Sequence, residues 1–510
     1  MMNISDSSTE ATKSFEIYPN ENTDQFDTND IEKERKKYTT RGTSGLVNIG
    51  NTCYMNSAIQ LMAATDQLVS YFRGDGKIEN AKYKDDLRRG VSRMIVEKEK
   101  KKYGEEKEQY IININKMRQK FKNSLTYKLR NLICAMWGCN RKIKPISFKQ
   151  KLGEINNEFA GYNQNDSQEC LSLVLDTIHE ETKSEIELLM KPLNPSMEIV
   201  RQTKMKFETL KNKKAQQEYI KYKNHHLSQI AKIEALEYWK TYLSKNNSMI
   251  EHIFGGLFFS TIKCSQCENS NFKFDPFRII NLHVVVSQDD KEKMQNMIRM
   301  FNEFDTSKLN QQEIMQFKRL RQIKYMEHIK NMEEKDVTIE ECLKNYFGDE
   351  EKLEGDCQYF CNVCDCKTDA IKKTQIWYCP QRLIIHFKRF DNGMRKNNKK
   401  IVFPINGLNM TEYMSEYVEG ECIYDLYGIS YHSGNVGGGH YTAYTKNPIN
   451  KMWYYYDDSN VLHIEESEIE SKLINNGAYV LMYQARREFV SIMPDSTNDE
   501  FENVENFEEI

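Results

Sequence analysis

The sequence predicts an α+β protein, with helices in its first third and an antiparallel sheet near its end. Three observations carry this expectation. Around residues 52–70 and 167–181, apolar side chains recur every three or four positions, the period of a helix with one buried face. Late in the chain, short aromatic or β-branched runs at 382–390, 424–431, 441–444, 453–456 and 479–484 are separated by turn residues, as antiparallel strands are. Between these regions stand two Cys-x-x-Cys pairs, Cys264 with Cys267 and Cys361 with Cys364.

Taken in order, residues 1–30 carry seven acids, one Lys and few large apolar groups, too little to offset ordering entropy. An acidic, disordered arm is expected over 1–40. Apolar, aromatic stretches then alternate with Lys- and Glu-rich stretches of helical composition near 83–130, 184–230 and 287–335. These read as helical insertions into one discontinuous domain spanning 41–487. From 201 to 245 there are eleven Lys or Arg against four acids. This is expected to be a solvated helical face rather than a site for an acidic partner, since no nucleic-acid motif accompanies it. Residues 488–510 hold eight acids and no Lys or Arg and are expected to form a disordered, solvated acidic tail, with binding of a basic partner as the alternative.

Composition narrows the classes further. The chain has 510 residues, and 72 Lys and Arg against 75 Asp and Glu leave a net charge of −3. That balance argues against a polycation that coats nucleic acid or lipid. With 39% apolar and 29% charged residues, and a mean hydropathy of −0.73, much of the chain must face water. No apolar run reaches the length of a bilayer span, and the start lacks the features of a secretory signal. A monomer in the cytoplasm or nucleus is expected, with no membrane or nucleic-acid partner. Thirteen cysteines in such a chain favour free thiols and metal ligation over a disulfide framework.

Cys53 follows a polar, Gly-bearing loop, 45–52, and begins an apolar-periodic helix. A helix N-terminus offers partial positive charge and unpaired N–H groups, so the thiol pKa is expected to be lowered there. Asn48 can turn an amide N–H toward the same point and stabilise an oxyanion. Taken alone, a Cys in this position is more often a small core residue. Near the other end, His440 follows three glycines and Asp457 lies seventeen residues beyond it, a spacing that suits a hairpin. His440 could take the thiol proton while Asp457 holds the imidazole in one tautomer.

The two Cys-x-x-Cys pairs supply four thiolates, the donor set of a closed structural zinc site. Cys357 and Cys366 lie nearby and could exchange as ligands. An unoccupied set of thiols is the alternative.

GLVNIGNTCYMNS at 45–57 resembles the Cys box of the ubiquitin-specific protease family of deubiquitinating cysteine proteases. GGGHYTAY at 437–444, followed by WYYYDDSNV at 453–461, resembles its His box. Between these boxes GYNQNDSQEC, SMIEHIFGGLFFSTIKCSQC, FDPFRIINL and QRLIIHFKRF, and beyond them AYVLMYQARR, appear in the family's order. The resemblance implies a papain-like fold with a helical thumb, an antiparallel β palm and β fingers. It implies Cys53 as nucleophile, His440 as general base, Asp457 as the residue that orients it, and Asn48 in the oxyanion hole. Asp458 is the adjacent carboxylate, able to share or assume the orienting role. Substrate contacts are implied at Asp166, Glu169, Tyr441, Gly439 and His432, with the two acids facing arginines in the ubiquitin tail. Zinc is implied on Cys264, Cys267, Cys361 and Cys364, at the ends of the fingers. One departure is Cys170, where the family usually has Phe.

The expected activity is thiol-dependent hydrolysis after the C-terminal glycine of ubiquitin, with ubiquitinated proteins or chains as partners. Rival readings are an inactive ubiquitin-binding scaffold, a protease acting on another ubiquitin-like modifier, a papain-like peptidase or transglutaminase-type enzyme, and a zinc-dependent nucleic-acid binder. Retention of Cys53, His440 and Asp457 opposes the first. The interposed Cys-x-x-Cys pairs and the GGGHY segment oppose the peptidase and the transglutaminase.

Overall fold

The computed structural model describes residues 41–73, 122–138, 141–188, 192–210, 213–285, 288–304, 309–334, 336–348, 350–390, 396–435 and 438–487. The expected terminal arms and most of the first insertion lie outside them.

The architecture is α+β. A helical layer packs on an eight-stranded sheet, and a four-stranded sheet projects from it. The innermost helix is Cys53–Ala63, whose eleven residues are all buried and include neither Gly nor Pro. Around it stand Asp66–Arg73, Leu125–Gly138, Ile146–Ile155 and Ser167–Thr182, sharing one apolar core. The helix Leu125–Gly138 corrects the first insertion boundary. Its Leu125 and Leu129 are fully buried, so the core resumes inside the stretch assigned to surface helix.

In the large sheet, seven strands, Asn460–Ile464, Trp453–Asp457, Gly438–Lys446, Ile423–Asn435, Ala478–Ala485, Arg382–Lys388 and Ile279–His283, lie side by side in that order, and the eighth, Asn406–Asn409, pairs with Ile423–Asn435. All pairs are antiparallel except the last, Ile279–His283 with Arg382–Lys388, which is parallel. Hairpin-linked strands can run antiparallel. These two are separated by a long excursion and are free to align in one direction. Gly428 lies where the sheet meets the central helix: a Cβ there would stand 2.8 Å from Leu61.

The projecting sheet runs Ser270–Phe277, Gly256–Cys264, Ala370–Tyr378 and Glu351–Leu353. Its first hairpin ends at Cys264 and Cys267, beside the separate two-stranded hairpin Tyr359–Cys361 and Cys366–Thr368.

The second insertion is better bounded by a bridge. Ser184 pairs with Asn247, so the chain leaves and returns at one point. Between them run the helices Pro195–Thr209, Lys213–His225 and Leu227–Asn246. Asn194 caps the first by accepting from the Met197 N–H at 2.9 Å, and Pro195 occupies the first turn, where its missing N–H costs nothing. The expectation of a solvated basic face needs correction at two residues. Lys204 sits among Glu208, Glu234 and Glu237 at 3.4–3.7 Å, and Lys223 is buried over the Phe272 ring. These two of the eleven cations are engaged inside the fold rather than presented to solvent.

A single disulfide, Cys379–Cys422, departs from the expected free thiols among the described residues. It joins the residue after Ala370–Tyr378 to the residue before Ile423–Asn435, two buried positions that the fold sets together.

Candidate active site

The loop that delivers Cys53 is folded by its own polar groups. Asn48 Oδ1 accepts from the N–H groups of Gly50 and Thr52, both at 3.1 Å, and Thr52 Oγ1 accepts from the Ile49 N–H. Gly50 has a left-handed φ of 117°, and a Cβ there would stand 2.3 Å from the Tyr162 ring. Thr52 makes no side-chain cap, so the first N–H groups of the helix stay open at Cys53.

The helix terminus was expected to lower the Cys53 thiol pKa, and the structure reverses this. Burial pushes the thiol up, and the Asp458 charge adds to the rise. The Tyr441 N–H and the N–H groups of Tyr54 and Cys53 act against both without prevailing. Cys53 is only 4% exposed, and loss of water outweighs half a helix charge. Burial thus favours the Cys53 thiol over its thiolate, against the expectation from the helix terminus.

The imidazole expected to act as the base is held by a carboxylate on the next strand. His440 and Asp457 lie on the neighbouring strands Gly438–Lys446 and Trp453–Asp457, and His440 Nε2 stands 2.6 Å from Asp457 Oδ1. The bond occupies Nε2 and leaves Nδ1 as the free proton acceptor. Tyr441, next to His440, directs its main-chain N–H at the Cys53 sulfur. The residue beside the imidazole is thus hydrogen-bonded to the sulfur.

Asp458 does different work from the role implied for it. Its side chain accepts from Asn48 Nδ2 at 2.9 Å and from Asn56 Nδ2 at 2.7 Å, while its carbonyl accepts from the Leu46 N–H. A left-handed φ of 49° turns this carboxylate away from the direction taken by Asp457 and toward the two asparagines. Although it lies within 4.8 Å of the His440–Asp457 pair, its oxygens are engaged elsewhere. The second hydrogen of Asn48 Nδ2 remains available to an oxyanion.

Asp458→Asn isolates this role, because Asn tolerates a left-handed φ but cannot accept from both neighbours. The expected result is a fall in kcat on the order of 100-fold with little change in KM, measured by steady-state turnover. Removing the charge would by itself ease thiolate formation, so a fall reads the oxyanion side; an unchanged kcat would sink the assignment.

The other implied contacts divide. Asp166 caps Ser167–Thr182 by accepting from the Gln168 and Glu169 N–H groups, and the Tyr479 hydroxyl donates to it. Burial pushes its carboxyl pKa up, so it is a structural acceptor more than a free surface charge. Glu169, on the first turn of the same helix, is exposed and open to a cation. Tyr441 is buried and packs against His432 and Tyr479. His432 is also buried; desolvation holds its pKa down at about 4, so it is a neutral wall. Gly439 lies directly on that wall, where a Cβ would stand 2.2 Å from His432 Nε2. Cys170 is fully buried in the helical core.

At the end of the projecting sheet, the sulfurs of Cys264, Cys267, Cys361 and Cys364 all lie within 4.8 Å of one another. Cys264 is 3.9 Å from Cys364, and Cys267 is 3.6 Å from Cys361. Cys357 and Cys366 are exposed and outside the cluster.

Residues 44–483 match the family model described as ubiquitin carboxyl-terminal hydrolase. The chain belongs to this family. A probable ubiquitin carboxyl-terminal hydrolase of Acanthamoeba polyphaga mimivirus is 26% identical over 471 residues, 87% of this chain and 90% of the relative. Ubiquitin carboxyl-terminal hydrolase 4 of Saccharomyces cerevisiae is 26% identical over 91% of this chain but 41% of its own length. The human ubiquitin carboxyl-terminal hydrolase 2 is 26% identical over 88% of this chain and 56% of its length. This chain is thus equivalent to about half of each of those two longer proteins. The fold is similar to that of the SAGA Ubp8/Sgf11/Sus1/Sgf73 DUB module bound to ubiquitin aldehyde, with a TM-score of 0.50, 20% identity and coverage of 88% of this chain and 70% of that one.

Three residues of this hydrolase site escaped the sequence reading. Asn56 is one turn beyond Cys53, a polar residue on a fully buried helix, and that burial mismatch was the available signal. Lys149 is buried and donates to the carbonyls of Phe159 and Gly161, fixing the loop that precedes Asp166. Gln164, within that loop, reaches across to Gly439.

Proposed function

We propose that this protein is a thiol-dependent deubiquitinase that hydrolyses the bond between the C-terminal glycine of ubiquitin and a lysine or peptide amine. The carrying observation is the 2.6 Å His440–Asp457 pair on the strand whose next residue, Tyr441, directs its N–H at the Cys53 sulfur. The ubiquitin tail runs between the 161–166 loop and the strand beginning at Gly438, and Glu169 faces its basic residues. His440 Nδ1 removes the thiol proton as sulfur attacks the glycine carbonyl. Asn48 Nδ2 and the open N–H groups at the Cys53 helix stabilise the oxyanion. His440 returns the proton to the leaving amine, giving a thioester that water, deprotonated by the same imidazole, then cleaves. Asp457 stabilises the imidazolium in both steps.

Selectivity follows from the walls. Gly439 on His432, with Tyr441 beside it, leaves little width for side chains, and a Gly-Gly tail has none.

We further propose that the four cysteines hold a structural zinc. Four sulfurs about 2.3 Å from a central zinc stand about 3.8 Å apart in a tetrahedron, and the two closest pairs lie at 3.6 and 3.9 Å. The metal would lock the two hairpins together and supply no chemistry to Cys53.

The deciding experiment is incubation with a ubiquitin bearing a C-terminal electrophile, beside equivalent probes built on other ubiquitin-like modifiers. Covalent labelling of Cys53 by the ubiquitin probe is expected. Labelling only by another modifier's probe moves the substrate class, and no labelling by any removes the enzymatic reading.

A further inference from the structure

Gln164 and Gly439 are 275 positions apart, yet they meet as a pair of complementary amides. Gln164 Nε2 donates to the Gly439 carbonyl at 2.8 Å, and the Gly439 N–H donates to Gln164 Oε1 at 2.9 Å. Gly439 lies opposite Gly434 in its hairpin, and both of its polar groups point away from that partner. They face the edge that Trp453–Asp457 leaves unpaired, because its pairing reaches only to Ala443. The primary amide of Gln164 thus fills the donor and acceptor positions that a neighbouring strand would fill.

Each end of this bridge is anchored. Gly439 rests on the buried His432 ring. The loop bearing Gln164 is held by Lys149 on the Gly161 carbonyl at 2.9 Å, by Asn51 Nδ2 on the Tyr162 carbonyl at 2.8 Å, and by the Asp166 cap. The exposed Gln164 side chain is the movable part. It spans from one wall of the tail cleft to the other, one residue before His440.

A bridge over a cleft sets a topological condition. A tail that ends in a small group can be threaded beneath it. A tail with a folded domain at each end cannot be threaded and must be laid in from the side. We propose that Gln164 is a gate residue for two-ended substrates: it swings off Gly439 to admit the tail between two folded proteins and closes over it afterwards. This rests on the tail path proposed above. A substrate that needs the open state pays for its rarity in apparent affinity, whereas one that threads does not.

The test compares Gln164→Ala with the unchanged protein on two substrates. One is diubiquitin, folded at both ends; the other is ubiquitin amide-linked to a small fluorophore. Loss of two exposed neutral hydrogen bonds is expected to raise the ratio of kcat/KM for diubiquitin over the small substrate by about tenfold. A ratio that stays constant or falls overturns the gate, even if both rates change. Failure of the unchanged protein to cleave either substrate is a failure of the deubiquitinase reading instead. The bridge is then read without turnover, by amide hydrogen exchange at Gly439 in the free protein. Faster exchange in the variant is expected, and equal exchange overturns the bridge and the gate with it.

Discussion

Cys53→Ala and His440→Ala are each expected to remove turnover by on the order of 10⁶-fold, and the double variant no more than either alone, because a nucleophile and its base act as a unit. The structure sharpens this expectation. In the resting protein Cys53 is buried and its thiol pKa is raised, so it cannot rely on a standing thiolate. Without His440 there is no acceptor for the proton, and without the sulfur the base has nothing to activate. Binding should behave differently. Alanine leaves the walls made by Gly439, His432 and Tyr441 in place, so ubiquitin affinity should change by less than about threefold. Single-turnover cleavage of a fluorogenic ubiquitin, with affinity measured separately, checks both parts. Multiplicative losses in the double variant would show that the two residues act independently, and residual cleavage by Cys53→Ala would place the nucleophile elsewhere.

Cys264→Ser, or exhaustive chelation, is expected to have the second largest effect, and on stability before chemistry. Structural zinc on four thiolates contributes on the order of 10 kcal/mol of binding free energy. Here that energy would join the turn after Gly256–Cys264 to the hairpin Tyr359–Cys361 and Cys366–Thr368, adding to hydrogen bonds such as Ser265 N–H to the Asp369 carbonyl and Asn271 Nδ2 to the Tyr359 hydroxyl. The serine variant should lose about one zinc per chain and melt on the order of 10 °C lower. The thumb helices share a separate core around Cys53, so the catalytic cleft should be the last part to fail. Metal analysis and thermal unfolding together decide the matter. A zinc-free protein with an unchanged midpoint would refute the site.

Much of this was legible in the linear sequence. The Gly-bearing loop before Cys53 and the glycines before His440 mark places where backbone must come close, and the structure finds His432 directly beneath Gly439. The seventeen-residue spacing from His440 to Asp457 implied a hairpin, and those strands do pair. The hairpin spacing could not divide labour between Asp457 and Asp458. Their carboxylates separate because Asp458 adopts a left-handed φ and meets Asn48 and Asn56, 410 and 402 positions away. The helical texture of 122–138 likewise could not tell a surface helix from a core one until Leu125 and Leu129 had neighbours.

By itself the sequence determined which chemical groups were available and in what order: a thiol at a helix start, an imidazole after glycines, a carboxylate one hairpin strand on, and two pairs of ligating cysteines. Those features depend on residue type and short spacing, which survive in one dimension. The tertiary structure alone decided that burial raises the Cys53 thiol pKa, that Asp458 holds two asparagines, that Asp166 caps a helix, and that Gln164 meets Gly439. Burial and hydrogen-bond partnership are sums over elements hundreds of residues apart, and no local pattern carries them.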